Sequence, residues 1–314
     1  MLSKFAFLKN NIRVPVIAAP MFIVSNPVLV VEQCRAGIIG SFPALNARGK
    51  DGESTLEDWL IRIKAGLCLP GSPSTFAVNQ IVHPTNKRLM EDMELIVKHE
   101  VPIVITSLGA RNEINDAVHS YGGFVFHDVT SNSYAKKAIN KGADGLIAVA
   151  AGAGGHAGGQ SPFALVQEIR EWFKGPLVLA GCISSGRSIA AALTMGADFA
   201  YIGSPFIATS EANAPNEYKN MIVNGSAEDI VNTNVFTGIH GNYLLPSIEK
   251  AGLSIDDLEK SGIKENLLDT SKKAPKAWSS IWGCGQGISN INEVVKTKTL
   301  IHHLARDFLV HYKN

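Results

Sequence analysis

The chain has 314 residues, of which 46% are hydrophobic and 18% charged, and its formal net charge is +1. With a charged share below the usual one of about 25%, the composition supplies a large core and excludes a disordered chain. Near-neutrality without a run of four basic residues excludes nucleic acid or an anionic membrane surface as a partner held by charge.

No apolar run reaches the roughly 18 residues that a bilayer-spanning helix needs. The opening stretch MLSKFAFLKNNIRVP is interrupted by Lys4, Lys9 and Arg13 and does not read as a signal peptide. The expectation is a soluble, cytoplasmic protein. Cys34, Cys68, Cys182 and Cys284 lie far apart, with no C-x-x-C pair, which argues against a zinc site or a disulfide framework. No metal is expected.

Short apolar runs alternate with helical patterns along the chain. VPVIAAP (Val14–Pro20) reads as a buried strand, followed by a helix over Pro27–Arg35. GIIGSF (Gly37–Phe42) is the second strand, with a helix near Leu56–Gly66; STFAVNQ (Ser74–Gln80) is the third, with a helix near Asn86–His99. VPIVITSL (Val101–Leu108) and GFVFHDV (Gly123–Val129) are the fourth and fifth, followed by helices at Arg111–Ser120 and Ser133–Lys141. GADGLIAVA (Gly142–Ala150) is the sixth; a glycine-rich loop and a helix over Pro162–Phe173 come next. GPLVLAG (Gly175–Gly181) is the seventh, with a helix over Gly186–Met195, and FAYIGSPF (Phe199–Phe206) is the eighth.

Near-continuous apolar runs mark strands buried on both faces, the parallel arrangement. Eight strand–helix repeats close a (β/α)8 TIM barrel. A doubly wound open sheet is the competing architecture, but no G-x-G-x-x-G follows the first strand. After Phe206 the rhythm changes. Residues 213–274 are more polar and read as a small, mostly helical insertion after strand 8, a lid or substrate subdomain on a barrel made of residues 1–212 plus 275–314. From Ile288 onward apolar residues return to helical spacing, with Asn290 and Asn292 available as caps.

Barrel sites lie at the C-terminal strand ends. After the sixth strand comes AAGAGGHAGG, Ala150 to Gly159, with His156 among five glycines. Ordered glycine costs about 0.5–1 kcal/mol against alanine, so the run implies positive φ angles or close backbone approach to a ligand. A neutral imidazole at this rim can take or give a proton near pH 7. His127 at a strand end and His240 in the insertion are its rivals. The loops after strands seven and eight, AGCISSG and GSPF, suit a phosphate: backbone N–H groups of Gly181, Cys182, Ile183, Gly203 and Ser204 are candidate donors, aided by a helix N-terminus near Ser185.

Together, APM at the first strand end, Asn79 at the third, AGAGGHAGG, AGCISSGRSIAAALTMGADFAYIGSPF and WGCGQG resemble the nitronate monooxygenase family, formerly called 2-nitropropane dioxygenases. The resemblance covers nearly the whole chain. It implies an FMN-containing barrel that oxidises propionate-3-nitronate or alkyl nitronates with O2 to a carbonyl compound and nitrite. It implies that Pro20, Met21 and Phe22 lie along the flavin, Asn79 reaches its polar edge, and Val149 borders it. Gly181, Cys182, Gly203 and Ser204 would hold the phosphate, Gln286 would come near from the C-terminal segment, and His156 matches the active-site histidine. The sequence departs from the family pattern where Gly152 stands at a glutamate position, Cys182 at a glycine, Ser204 at a common threonine and Asp128 at a cofactor-proximal lysine. An NAD(P)H-dependent reductase, of enoyl-acyl-carrier-protein or quinone type, is the alternative on the same barrel, and a barrel that has lost its chemistry is a third reading. The expected partners are a nitronate or nitroalkane and O2; pairing as a homodimer is left open.

Overall fold

The computed structural model describes residues 12–49, 54–68, 75–260 and 280–312. Eight strands form one parallel sheet: β1 (Val16–Ala18), β2 (Gly40–Pro43), β3 (Phe76–Ile81), β4 (Ile103–Ser107), β5 (Phe124–Val129), β6 (Gly145–Val149), β8 (Leu177–Ala180) and β9 (Phe199–Ile202). The order β1-β9-β8-β6-β5-β4-β3-β2 becomes a ring through a parallel bridge between Ile17 and Ile39. The barrel expected from eight apolar runs is therefore present.

Strand alternation divides the apolar residues between two cores. Ile17, Ala77, Ile105, Phe126, Ile147, Val178 and Phe199 face inward and fill the barrel. Val16, Val78, Val104, Val125, Ala148, Leu179 and Ala200 face outward. They pack on a ring of helices: α1 (Pro27–Arg35), α2 (Leu56–Leu67), α3 (Leu89–Lys98), α4 (Asn112–His119), α5 (Asn132–Asn140), α6 (Pro162–Arg170) and α7 (Gly186–Thr194). Burial on both faces is what near-continuous apolar strands require.

Two local readings need correction, and the mostly helical insertion gains a hairpin. The eighth strand ends at Ile202, and Ser204 opens a one-turn helix, α8 (Ser204–Ile207). Pro205 suits the first turn of a helix, where its missing N–H costs nothing. The insertion holds short helices, α9 (Asn216–Asn224), α10 (Leu245–Lys250) and α11 (Ile255–Lys260), but also an antiparallel hairpin of β10 (Ile230–Thr233) and β11 (Gly241–Leu244). Residues 261–274 of the expected insertion lie outside the described residues. Finally, the last helix, α12 (Thr297–His311), is not capped by Asn290 or Asn292. Asn290 donates to Ser184 Oγ, while Glu211 Oε2 accepts from the N–H and the hydroxyl of Thr297 at 2.9 and 2.8 Å. α12 packs against α7 and α1, across the seam between the last and first parts of the ring.

The glycine loop carries one further short strand, β7 (Gly155–His156), which pairs antiparallel with β11: Gly241 lies opposite His156 and Asn242 opposite Gly155. Asn242 Nδ2 donates to Ala153 O at 2.6 Å, and Ala157 N donates to His240 O. The insertion is thus joined by a ladder to the loop that holds the candidate histidine. Among the described residues no helix is long and apolar enough to cross a membrane.

Candidate active site

The upper storey of the barrel differs from the lower. Where the inward positions are Ile, Ala and Phe below, at the strand ends they become Pro43, Asn79, Ser107, Asp128, Val149, Ala180 and Tyr201, all lining a cavity of about 460 Å³. Strand period two thus extends the core into a half-polar floor at the end where barrel sites are found.

The floor has a directed hydrogen-bond chain. Asn79 Nδ2 donates to Ile105 O at 3.0 Å and to Ser107 Oγ at 2.7 Å. Ser107 Oγ in turn donates to Asp128 Oδ2 at 2.5 Å. Asp128 Oδ1 and the Tyr201 hydroxyl are buried and without a partner among the described residues. Burial pushes the Asp128 carboxyl up to about 6, against the lowering effect of Ser107. It also raises the Tyr201 hydroxyl well above its ordinary value, with the Asp128 charge adding to the effect.

All the expected site residues except one line this cavity: Pro20, Met21, Phe22, Asn79, Asp128, Val149, His156, Gly181, Cys182, Gly203 and Ser204. Gln286 stands behind the wall. Its N–H donates to Gly152 O at 3.0 Å, and its Oε1 lies 3.9 Å from Cys182 Sγ. The rival histidines are elsewhere. His127 falls on the odd parity of β5, so it points into the outer core against Thr106 Oγ1, and burial lowers it to about 4. His240 pairs with Asn232 Oδ1 in the insertion. Sequence inspection missed Tyr201, Ser107, Tyr218 and Thr237; the first two follow from the alternation in FAYI and VITS once the inward register is known.

His156 reaches the cavity from β7 and is half-buried, and desolvation lowers its pKa. Its Nε2 lies 3.0 Å from Thr237 Oγ1, and that hydroxyl donates to Ile239 O at 3.0 Å. A hydroxyl has one hydrogen to give. With that hydrogen directed at Ile239 O, Thr237 accepts from Nε2–H and the lone pair falls on Nδ1.

At the other end, Gly181 (φ +127°) and Cys182 (φ +56°) are consecutive residues with positive φ. A Cβ on Gly181 would meet Ala151 O at 2.9 Å. The N–H groups of Cys182, Ile183, Gly203 and Ser204 make no hydrogen bond to another described residue, so they are donors suited to a phosphate. The helix end near Ser185, expected to help, is already closed. Ser185 Oγ accepts from Ser188 N, and Asp307 Oδ2 accepts from Arg187 N. Unpaired amides at one end and unpaired buried polar atoms on the floor fit a ligand with a phosphate and a polar heteroaromatic ring, as a flavin nucleotide has.

Comparison with known proteins agrees with this geometry. The family model for nitronate monooxygenase matches residues 74–307. A nitronate monooxygenase of Neurospora crassa is 28% identical over 264 residues, covering 74% of this chain and 68% of that protein. The (3aS,4S,5R,7aS)-5-hydroxy-7a-methyl-1-oxo-octahydro-1H-indene-4-carboxyl-CoA dehydrogenase of Rhodococcus jostii is 25% identical over 262 residues, 83% of this chain and 69% of that one. The fold matches FabK of Thermotoga maritima with a TM-score of 0.78 at 24% identity, covering 98% and 96% of the two chains. The chain belongs to the nitronate monooxygenase family and is a flavin-dependent oxidoreductase.

Proposed function

We propose that the protein binds FMN and oxidises alkyl nitronates, propionate-3-nitronate among them, with O2 to a carbonyl compound and nitrite. The observation that carries this reading is His156, set by β7 over a cavity with an amide-lined end and a polar floor. The bound flavin supplies the electron transfer, and the protein supplies position and electrostatics.

In this reading the N–H groups of Cys182, Ile183, Gly203 and Ser204 hold the phosphate. Pro20, Met21, Phe22 and Val149 border the ring, and Asn79 and Asp128 face it from the floor. His156 is neutral at pH 7, because desolvation disfavours its charged form. Its Nδ1 accepts the α-proton of a neutral nitroalkane, or its ring orients the nitro group of a preformed nitronate. Thr237 holds the ring in that tautomer. The described part of the insertion, residues 213–260, acts as the lid, with β11 fixing the histidine strand from above.

The test is anaerobic flavin spectroscopy on the FMN-loaded protein. Bleaching by propionate-3-nitronate, and not by NADH or NADPH, is the expected result. Bleaching by nicotinamide alone overturns it in favour of a reductase, the reading that likeness to the Rhodococcus dehydrogenase supports. A preparation that takes up no FMN overturns the cofactor assignment.

A further inference from the structure

Asp128 is the one Asp, Glu, Lys or Arg among the described residues that line the cavity. Its surroundings are defined on every side. From β4, Ser107 Oγ donates to Oδ2, and behind it stands Asn79 of β3. From β6, the register neighbour is Ile147. From β9 comes the neutral Tyr201 hydroxyl, without a partner. At the rim, His156 and the Cys182 thiol line the same cavity, and both are held neutral by desolvation. His127, next to Asp128 on β5, faces the outer core. Among the described residues Asp128 therefore has one neutral donor on Oδ2, no cationic partner, and a bare Oδ1 on the floor.

We propose that Asp128 is the proton store of the bound flavin, gaining a proton at Oδ1 when the cofactor is reduced and losing it on reoxidation. This rests on the flavin reading above. A carboxylate and a negatively charged reduced ring in one cavity repel each other, and a like charge within about 4–6 Å raises a carboxyl pKa. In the reductive half, dithionite is oxidised to bisulfite, its two electrons reduce the cofactor, and an O–H bond forms between Asp128 Oδ1 and a proton that the solvent gives up. In the oxidative half, O2 accepts the electrons, that O–H bond breaks, and the proton returns to solvent. Ser107 tunes the store, since its donated hydrogen bond favours the ionised carboxylate.

The sign can be followed through the pH range. Below the titration of Asp128 with oxidised cofactor, the carboxyl is protonated in both redox states and adds nothing. Above its titration with reduced cofactor it is ionised in both. Between the two, reduction takes up one extra proton, so the midpoint potential falls more steeply with pH.

The experiment is spectroelectrochemical titration of the FMN-loaded wild type, Asp128→Asn and Ser107→Ala, between roughly pH 5 and roughly pH 9. The wild type is expected to have a steeper window that opens where Asp128 titrates with oxidised cofactor. In Asp128→Asn the window is absent, and the potential is higher than wild type at the alkaline end and equal at the acid end. In Ser107→Ala the window opens at higher pH. Parallel potentials for wild type and Asp128→Asn overturn the proposal, and so does a Ser107→Ala window that opens where the wild-type one does. If Asp128→Asn fails to fold, the wild-type and Ser107→Ala curves decide alone. A wild type that takes up no FMN overturns the flavin reading, and this proposal with it.

Discussion

Residue 152 shows how one backbone position can decide what its neighbours are allowed to be. Gly152 has φ +81°, and a Cβ there would lie 2.2 Å from Cys182 Sγ and 2.9 Å from Gln286 Oε1. In the sequence, Gly152 and Cys182 look like two separate departures from the family pattern. In the fold they are one contact, with the thiol standing where a side chain on residue 152 would begin. Gly152→Ala is expected to cost about 2–4 kcal/mol, from overpacking and a left-handed backbone, and to weaken FMN uptake. Cys182→Gly in the same chain should restore part of both, as read by denaturant melts and flavin fluorescence; equal losses in single and double variants would contradict the contact. For His156, replacement by Asn should lower turnover of a neutral nitroalkane by about 10²–10⁴-fold. A preformed nitronate, which has no α-proton to lose, should be affected far less. Steady-state kinetics with the two substrate forms makes the comparison.

Among the elements, the eight barrel strands were legible because their signal is local: a short apolar run bounded by turn formers. β7 was not. Gly155 and His156 have no strand pattern, and they become a strand only because Gly241 and Asn242 arrive beside them. The start of α12 was misread for the same reason, since its capping group, Glu211, lies 86 residues away in sequence. His127 and Asp128 differ by one step of β5, yet one faces the helices and the other the cavity. Apolar patterning alone leaves that parity open until the inward register of Phe124 and Phe126 is known. Two predictions belong at this scale. Thr237→Val removes the acceptor of His156 Nε2–H; nitroalkane turnover should fall about tenfold, the energy of a single hydrogen bond, with FMN affinity unchanged. Arg170 on α6 bonds Phe173 O, Gly175 O and Gly196 O as well as Asp198 Oδ2. Lysine cannot reproduce that planar fork, so Arg170→Lys should cost about 1–3 kcal/mol, seen as a lowered Tm with the flavin site intact.

For the molecule as a whole, His127 and Asp128 pull stability in opposite directions as pH changes. Burial lowers His127 to about 4, so its contribution is present above the ordinary histidine value and is lost as pH falls toward 4. Burial raises Asp128 to about 6, so its contribution is present below the ordinary carboxylate value and is lost as pH rises through 6. Each is worth up to about 3 kcal/mol, and between about pH 4 and 6 they offset each other. Stability of the wild type should change little across that window. Asp128→Asn should lose stability on acidification and exceed the wild type at pH 8, while His127→Gln should gain stability on acidification. Denaturant melts at both ends of the range check the signs, and a flat profile in both variants would contradict the assignment.

The pairing of β7 with β11 also bears on how this scaffold can be altered. The histidine strand owes its alignment to a segment some 85 residues downstream, so the candidate histidine and the insertion that pairs with it form one heritable unit. Grafting the insertion of a relative onto this barrel exchanges the frame that aims His156 along with whatever the cover recognises. A chimera with a mismatched β11 should still fold and stay yellow, because the barrel and the amide-lined end lie outside that frame, yet it should turn over poorly. Substrate range and catalytic competence in this architecture are therefore expected to diverge together rather than one at a time.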